Sequence, residues 1–252
     1  MKIHTIVTLV HDIDNLIIRD VPVSSTVVEL PGECLAIIDT GMAGNPQLPA
    51  RLHELGYNPV DFSLVINTHL HPDHVGGNRL FTRARILVSR RELEYEAAFT
   101  HLLQETGDPV ATLRSLGRHV HEGGYRLAWD LKRLAEQYPT PSLVGDRAQL
   151  EFLEDEPSLP QQISLIKVPG HSIDSRAVVL HGGCGTALVA GDALYHRDLW
   201  REVPIVGIHY SDAMFRKNVE RIARFQGIII PGHDHAFSNV SGRYLEEDTF
   251  SL

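Results

Sequence analysis

Thr68-His69-Leu70-His71-Pro72-Asp73-His74-Val75-Gly76-Gly77-Asn78 places three imidazoles and a carboxylate within six residues. The stretch follows Ser63–Asn67, a short Leu-Val-Ile strand of the buried type. A loop leaving a strand end can aim His69 and His71 in one direction, two residues apart. The turn at Pro72 then lets Asp73 and His74 face a neighbouring point. Imidazole and carboxylate donors in this density suit Zn²⁺, and also Fe or Mn.

Three later segments repeat the pattern of apolar strand, small residue and ligand type. Pro169-Gly170-His171 follows Ile163–Val168, Gly191-Asp192 follows Ala187–Ala190, and Pro231-Gly232-His233 follows Ile228–Ile230. Taken singly, His233 or Asp192 reads as an ordinary surface or hydrogen-bonded side chain. Four such strand ends in one chain point instead to a metal site at one edge of a sheet assembly.

The rest of the chain supplies the strands. Ile3–Val10, Asn15–Arg19 and Thr26–Leu30 read as a meander, with Pro31-Gly32-Glu33 turning into Cys34–Asp39. Leu48, Leu52 and Leu55 share one face of a helix that stops at Gly56. Arg85–Ser89 and Gln149–Leu153 are further strands, and Gly182-Gly183-Cys184-Gly185 is the hairpin turn between Ala177–Leu180 and Ala187–Ala190. Between about residues 90 and 140 strand signals give way to helical ones, read as an insertion too poor in apolar residues for its own core. A last helix is expected over Asp212–Phe225, capped by Ser211, with Met214, Val219, Ile222 and Phe225 on its apolar side. The shared strand-then-His pattern of the two halves hints at internal duplication. The expected organisation is one domain over residues 1–252 carrying this insertion.

Composition narrows the function classes. The chain has 252 residues, 15 of them His, with 23 Lys+Arg against 32 Asp+Glu for a formal charge of −9. That balance argues against broad nucleic-acid binding. Two distant cysteines, Cys34 and Cys184, exclude a disulfide scaffold and a cysteine-built zinc finger. No apolar run approaches the ~18 residues of a membrane span, and the N-terminus does not read as a secretory signal, so a cytoplasmic location is expected.

With these residues in view, the chain resembles the metallo-β-lactamase superfamily. His69-Leu70-His71-Pro72-Asp73-His74 matches its HxHxDH motif, and His171, Asp192 and His233 match its later ligands in order and approximate spacing. Asp39-Thr40-Gly41 looks like its early Asp-Thr-Gly segment, and the likeness runs from residue 25 or so to about 235. The resemblance implies a four-layer αββα sandwich of the α/β class and a dinuclear centre. His69, His71 and His171 would hold one metal, Asp73, His74 and His233 the other, and Asp192 would bridge them. Zinc is the favoured ion, with iron or manganese as alternatives. Two divalent ions ~3.5–4 Å apart lower the pKa of a bridging water from 15.7 toward about 7. The hydroxide then attacks a carbonyl or phosphoryl centre, with Asp73 orienting it or passing its proton to the leaving group. Asp39 is either a partner for the far nitrogen of a ligand histidine or a turn-capping residue.

The superfamily does not fix a substrate. Cysteine-ligand β-lactamases are disfavoured, since no Cys lies near Asp192. The flavodiiron branch carries an acidic residue where His71 stands. Tyr195, three residues after Asp192, resembles a tyrosine of the N-acyl homoserine lactonases that polarises the lactone carbonyl; it reads equally as an ordinary aromatic of the loop wall. Pro231-Gly232-His233-Asp234 also looks like that branch. A hydrolase of an ester, lactone or thioester carbonyl is therefore expected, lactonase-like favoured. The alternatives are a glyoxalase II-like thioesterase, a mononuclear iron persulfide dioxygenase-like enzyme, and a non-catalytic binding protein that retains the site. The expected partner is a small-molecule carbonyl substrate, with no nucleic acid or membrane and with homodimerisation left open. An acyl chain would find its wall among His101, His119, His121, Tyr125 and Trp129 of the insertion together with Trp200 and Tyr210, although most of these read better as packing or surface residues. His196, His209 and His235 flank the ligands in sequence and are candidates for contacts to them or to substrate; an exposed His beside Asp234 is the simpler reading.

Overall fold

A computed structural model describes residues 1–32, 34–120, 124–199 and 207–252. The first half runs β1 (Lys2–Val10), β2 (Val21–Leu30), β3 (Cys34–Ile38), α1 (Gln47–Glu54), β4 (Leu64–Ile66), α2 (Pro72–Val75), β5 (Arg85–Val88), α3 (Arg90–Glu105), α4 (Pro109–Ser115), α5 (Tyr125–Gln137), α6 (Thr140–Leu143) and β6 (Leu150–Phe152). The second half runs β7 (Ile163–Lys167), β8 (Arg176–His181), β9 (Thr186–Gly191), α7 (Asp212–Ile222), β10 (Ile228–Pro231), β11 (Phe237–Ser238), β12 (Arg243–Tyr244) and β13 (Thr249–Ser251).

The strands form two sheets, ordered β13-β1-β2-β3-β4-β5-β6 and β12-β11-β10-β9-β8-β7. Both faces carry apolar side chains, and the two-residue period of a strand sorts them between layers. In the first sheet Val28, Ala36, Ile38, Leu64, Ile66 and Leu87 point inward and meet Val178, Leu180, Ala187, Val189 and Ile230 of the second. Their alternates, Val27, Ile37, Val65, Ile86 and Val88, pack outward with Leu48 and Leu52 of α1. On the far side Val179, Leu188 and Ile229 pack with Phe215, Val219 and Ile222 of α7. The result is helix, sheet, sheet, helix: the α/β fold expected of the αββα sandwich.

Several local expectations change. Asn15–Arg19 is a loop, not a strand. Asp12 Oδ1 accepts hydrogen bonds from the backbone N–H groups of Leu16, Ile17 and Ile18 at 3.0, 2.9 and 2.9 Å. Those donors are thereby withdrawn from any sheet ladder, and the strand begins at Val21. On α7, Ser211 caps as expected, its Oγ accepting from Met214 N–H. Met214 itself is exposed, and Phe215 takes the buried position. Phe225 lies beyond the helix end and packs on the same outer cluster. Helices α3, α4 and α5 gather a small apolar cluster from Phe99, Leu103, Leu113, Ala128 and Ala135. Both cysteines are free. No described helix is long and apolar enough to cross a membrane.

Candidate metal centre

Each candidate ligand lies just past the end of a strand or on the short helix after it. His69 and His71 leave β4, Asp73 and His74 sit on α2, His171 follows β7, Asp192 follows β9 and His233 follows β10. Small residues let these ends converge. Gly191 has a left-handed φ of 51°, and a Cβ there would run into Thr68. A Cβ on Gly232 would collide with Asp192 Oδ1. The side chains gather into two groups, His69, His71, His171 and Asp192 in one and Asp73, His74 and His233 in the other, each with ligand atoms within 4.8 Å of one another.

Asp192 joins the groups. Its Oδ1 lies 3.2 Å from His74 Nε2 and 3.1 Å from His233 Nε2, and Oδ2 lies 3.2 Å from His233 Nε2, 3.3 Å from His171 Nε2 and 3.8 Å from His69 Nε2. The carboxylate is nearly fully buried, and His233, His74 and His171 are the main groups that compensate its charge.

Hydrogen bonds on the outer sides of the rings settle which nitrogen faces inward. His233 Nδ1 donates to the Pro22 carbonyl at 2.7 Å. His74 Nδ1 donates to Asp39 Oδ2 at 2.9 Å. Thr68 Oγ1 donates its proton to Asp39 Oδ2 at 2.7 Å, so it accepts from His69 Nδ1 at 3.1 Å. Asp39 Oδ1 also accepts from Thr68 N–H at 2.8 Å. In all three rings Nδ1 is taken by the outer bond, so Nε2 is the nitrogen that points into the cluster and that a cation would take. His69 Nε2, His74 Nε2 and Asp192 Oδ1 are buried without a hydrogen-bond partner among the described residues. His171 Nε2 and His71 Nδ1 face each other at 2.8 Å. Converging, buried ligand atoms of this kind are what a pair of divalent cations requires, with any proton on a ring displaced on binding.

The charges differ between the groups. Burial pushes His69 and His171 well below the usual histidine range, and holds His71 at about 4. Burial also opposes charge on His74 and His233, but Asp192 leads the carboxylates that outweigh it and raise both. Asp192 is held well below the carboxylate range despite its burial, by His233, His74 and His171.

Asp39 thus has the first of its two expected roles: it holds His74 by the outer nitrogen and organises Thr68. It does so from a left-handed φ of 56°, a region Asp tolerates better than most residues. Tyr195 is placed beside the cluster, its hydroxyl 2.7 Å from His171 Nδ1. Burial, then Asp192 and Asp73, raise this phenol well above its ordinary value.

A cavity of about 260 Å³ opens from the cluster. His71, Asp73, His171, Asp192, Tyr195 and His233 form its polar end. Its apolar wall comes from Ile18, Phe99, Leu103, Leu131, Leu134, Ala135 and Tyr138. The insertion does cover the site, but with different residues from those expected. Trp129 and Tyr125 are exposed, His101 faces solvent, and His119 pairs with Asp212 at 3.4 Å. Tyr210 packs edge-on against Tyr95, away from the cavity wall. His121 and Trp200 lie outside the described residues. The wall residues recur at helical spacing on α3 and α5, a signal visible in the sequence as Phe99, Leu103 and Leu131, Leu134, Ala135.

Of the flanking histidines, His209 is buried, stacked on Phe215 at 4.0 Å between ring centroids and 5.5 Å from the His171 ring. It backs the ligand. His235 pairs with Asp248 at 2.9 Å and His196 lies 3.9 Å from Asp234, both on the exposed side.

Comparison with known proteins agrees with this architecture. The N-acyl homoserine lactonase AiiA of Bacillus thuringiensis subsp. kurstaki is 28% identical over 187 residues, 73% of this chain and 60% of the relative. The N-acyl homoserine lactonase AttM of Azorhizobium caulinodans is 29% identical over 190 residues, 73% of this chain and 63% of the relative. The match therefore spans less than two thirds of either relative's length. Among solved structures, a B. thuringiensis AiiA mutant with N-decanoyl-L-homoserine at its active site superposes with a TM-score of 0.62 at 20% identity, covering 92% of this chain and 93% of the other. AidC, a dizinc quorum-quenching lactonase in complex with its product, gives 0.62 at 16% identity, covering 85% and 73%. The metallo-beta-lactamase superfamily profile matches residues 18–233, and the chain belongs to that superfamily.

Proposed function

We propose that this chain is a dinuclear metal-dependent hydrolase that opens a carbonyl ester, with a lactone favoured over a thioester. The observation that carries the proposal is Asp192, whose carboxylate reaches both groups of histidines: Oδ1 lies beside His74 and His233, and Oδ2 beside His171 and His233. In this reading His69, His71 and His171 hold one ion, Asp73, His74 and His233 hold the second, and Asp192 serves both. The imidazole and carboxylate donor set suits zinc, iron or manganese, and the dizinc relative favours zinc. When bound, two such ions supply an acidified water and Lewis-acid polarisation of the carbonyl and leaving oxygens.

The chain's own residues do the rest. If His171 Nε2 gives its lone pair to a cation, Nδ1 carries the proton and donates to Tyr195 Oη. The Tyr195 O–H is then free to donate toward the carbonyl oxygen as negative charge develops there. The raised phenol pKa keeps that proton in place at neutral pH. Asp73 lines the same end of the cavity, with Oδ2 3.9 Å from both His74 Nε2 and His233 Nε2. It is positioned to take a proton from the attacking water and deliver it to the leaving oxygen. The apolar wall beyond Tyr195 suits an acyl chain. The names of the relatives, N-acyl homoserine lactonases, fit that combination.

The test is a panel of acyl lactones, acyl thioesters and phosphoesters assayed on metal-loaded protein. Lactone turnover exceeding thioester turnover is expected. Thioester preference would transfer the assignment to the thioesterase class, and oxygen consumption with one iron per chain would overturn hydrolysis altogether.

A further inference from the structure

Glu96 occupies an unusual place for a carboxylate. It lies on α3 among the residues that line the cavity, whose lining includes both the candidate ligands and the apolar wall. Phe99, Thr100 and Leu103 follow it at helical spacings of three, four and seven, and all line the same cavity. Glu96 is only 3% exposed, and its Oε1 has no hydrogen-bond partner among the described residues. The metal reading does not use it.

A buried carboxyl oxygen without a hydrogen-bond partner costs free energy. Arg118 is close enough to favour its charged form; its guanidinium donates to Tyr95 at 3.0 Å and lies over the Phe99 ring at 4.5 Å, and its buried Nε has no hydrogen-bond partner among the described residues. Glu96 is thus a nearly buried carboxyl in the wall of the cavity that a ligand would fill.

We propose that Glu96 is a specificity-determining residue that selects acyl groups bearing a polar substituent able to donate and accept hydrogen bonds, a hydroxyl being the simplest. This inference rests on the hydrolase reading and deepens it by naming the acyl class. Burial, reinforced by the neighbouring Glu92, pushes the Glu96 carboxyl up to about 8. At neutral pH it is mostly protonated, so it offers both an O–H donor and a carbonyl acceptor, the complement of a hydroxyl. Thr100 and Thr140, whose hydroxyls lie 3.4 Å apart in the same wall, extend the polar strip.

The test compares an unsubstituted acyl lactone with its hydroxylated analogue of equal chain length, using metal-loaded wild type, Glu96→Gln and Glu96→Leu. One buried hydrogen bond of ordinary strength predicts that wild type prefers the hydroxylated chain by about tenfold in kcat/KM, mainly through KM. Glu96→Leu should lose or invert that preference. Glu96→Gln, which keeps a donor and an acceptor, should retain most of it. Equal preference in wild type and Glu96→Leu would overturn the proposal. The two readings fail separately, because calorimetric binding of a hydroxylated fatty acid against its plain counterpart reads the subsite without turnover. If neither lactone is hydrolysed, the hydrolase reading falls. A binding preference that disappears in Glu96→Leu would still support the subsite, and no preference in wild type would overturn it.

Discussion

Asp39 accepts a hydrogen bond from His74 Nδ1 at 2.9 Å while its other oxygen holds the Thr68 backbone N–H. One carboxylate therefore fixes the ring orientation of a candidate ligand and the conformation of the loop that presents His69. The link also explains why β3, which supplies no ligand, matters to the site.

Asp39→Ala is expected to weaken binding of the ion held by His74, Asp73 and His233 by about 10–100-fold, the usual effect of losing a partner that orients a ligand. The other ion should be less affected, since His71 and His171 do not depend on Asp39. Competition with a chromogenic chelator measures both affinities. Unchanged affinities would show that Asp39 only caps its turn.

Tyr195→Phe removes the hydroxyl and leaves the ring. Loss of one donor to developing carbonyl charge predicts a fall in kcat of about 10–100-fold, a conservative reading of the larger losses seen for such donors, with metal content unchanged. Steady-state kinetics alongside metal analysis checks this. Unaltered kcat would return Tyr195 to the role of a wall residue.

Metal loading should release protons. Asp192 and Asp73 raise His74 and His233, so in metal-free protein near neutral pH these rings retain protons that a cation must displace. The raised values mean that their ion pairs with Asp192 stabilise the metal-free chain fully below the ordinary histidine pKa, and that this contribution is lost as pH rises through the folded values. Acid should therefore oppose cation binding. Calorimetric titrations in buffers of different ionisation enthalpy should show net proton release at neutral pH, with affinity falling as the pH is lowered. Proton-neutral binding would contradict the charge assignment.

Glu96 gives a separate pH signature. Its folded value, about 8, lies above the ordinary glutamate value of 4.5. Between those limits the folded state holds a proton that the unfolded chain has lost, so stability falls as pH rises through that window and levels off above it. Glu96→Gln removes this dependence. The difference in melting temperature, variant minus wild type, should grow from pH 5 to about 8. A constant difference would show that Glu96 is not held in its neutral form.

Much of the site was legible because its donors are concentrated at strand ends, where one short motif reveals both fold and chemistry. The seven candidate ligands were read from the sequence and converge in space. What sequence could not show is how side chains outside the motif compete for backbone donors or cavity surface. Asp12 captures three N–H groups and turns an apolar run into a loop. Phe215 rather than Met214 faces the sheet, because the single-residue rotation of α7 depends on what it packs against. The large aromatics of the insertion are packing or surface residues, the better of the two readings the sequence offered, and Phe99, Leu103, Leu131, Leu134 and Ala135 at helical spacing line the cavity instead. Glu96 was missed although its spacing to Phe99, Thr100 and Leu103 places it on that same helical face.

The central claim is tested most directly by titrating metal-free protein with Zn²⁺ while following lactone hydrolysis and bound metal together. The predicted result is two zinc ions per chain, with full activity reached only as the second site fills. Saturation at one ion per chain, or hydrolysis that persists in metal-free protein, would contradict it.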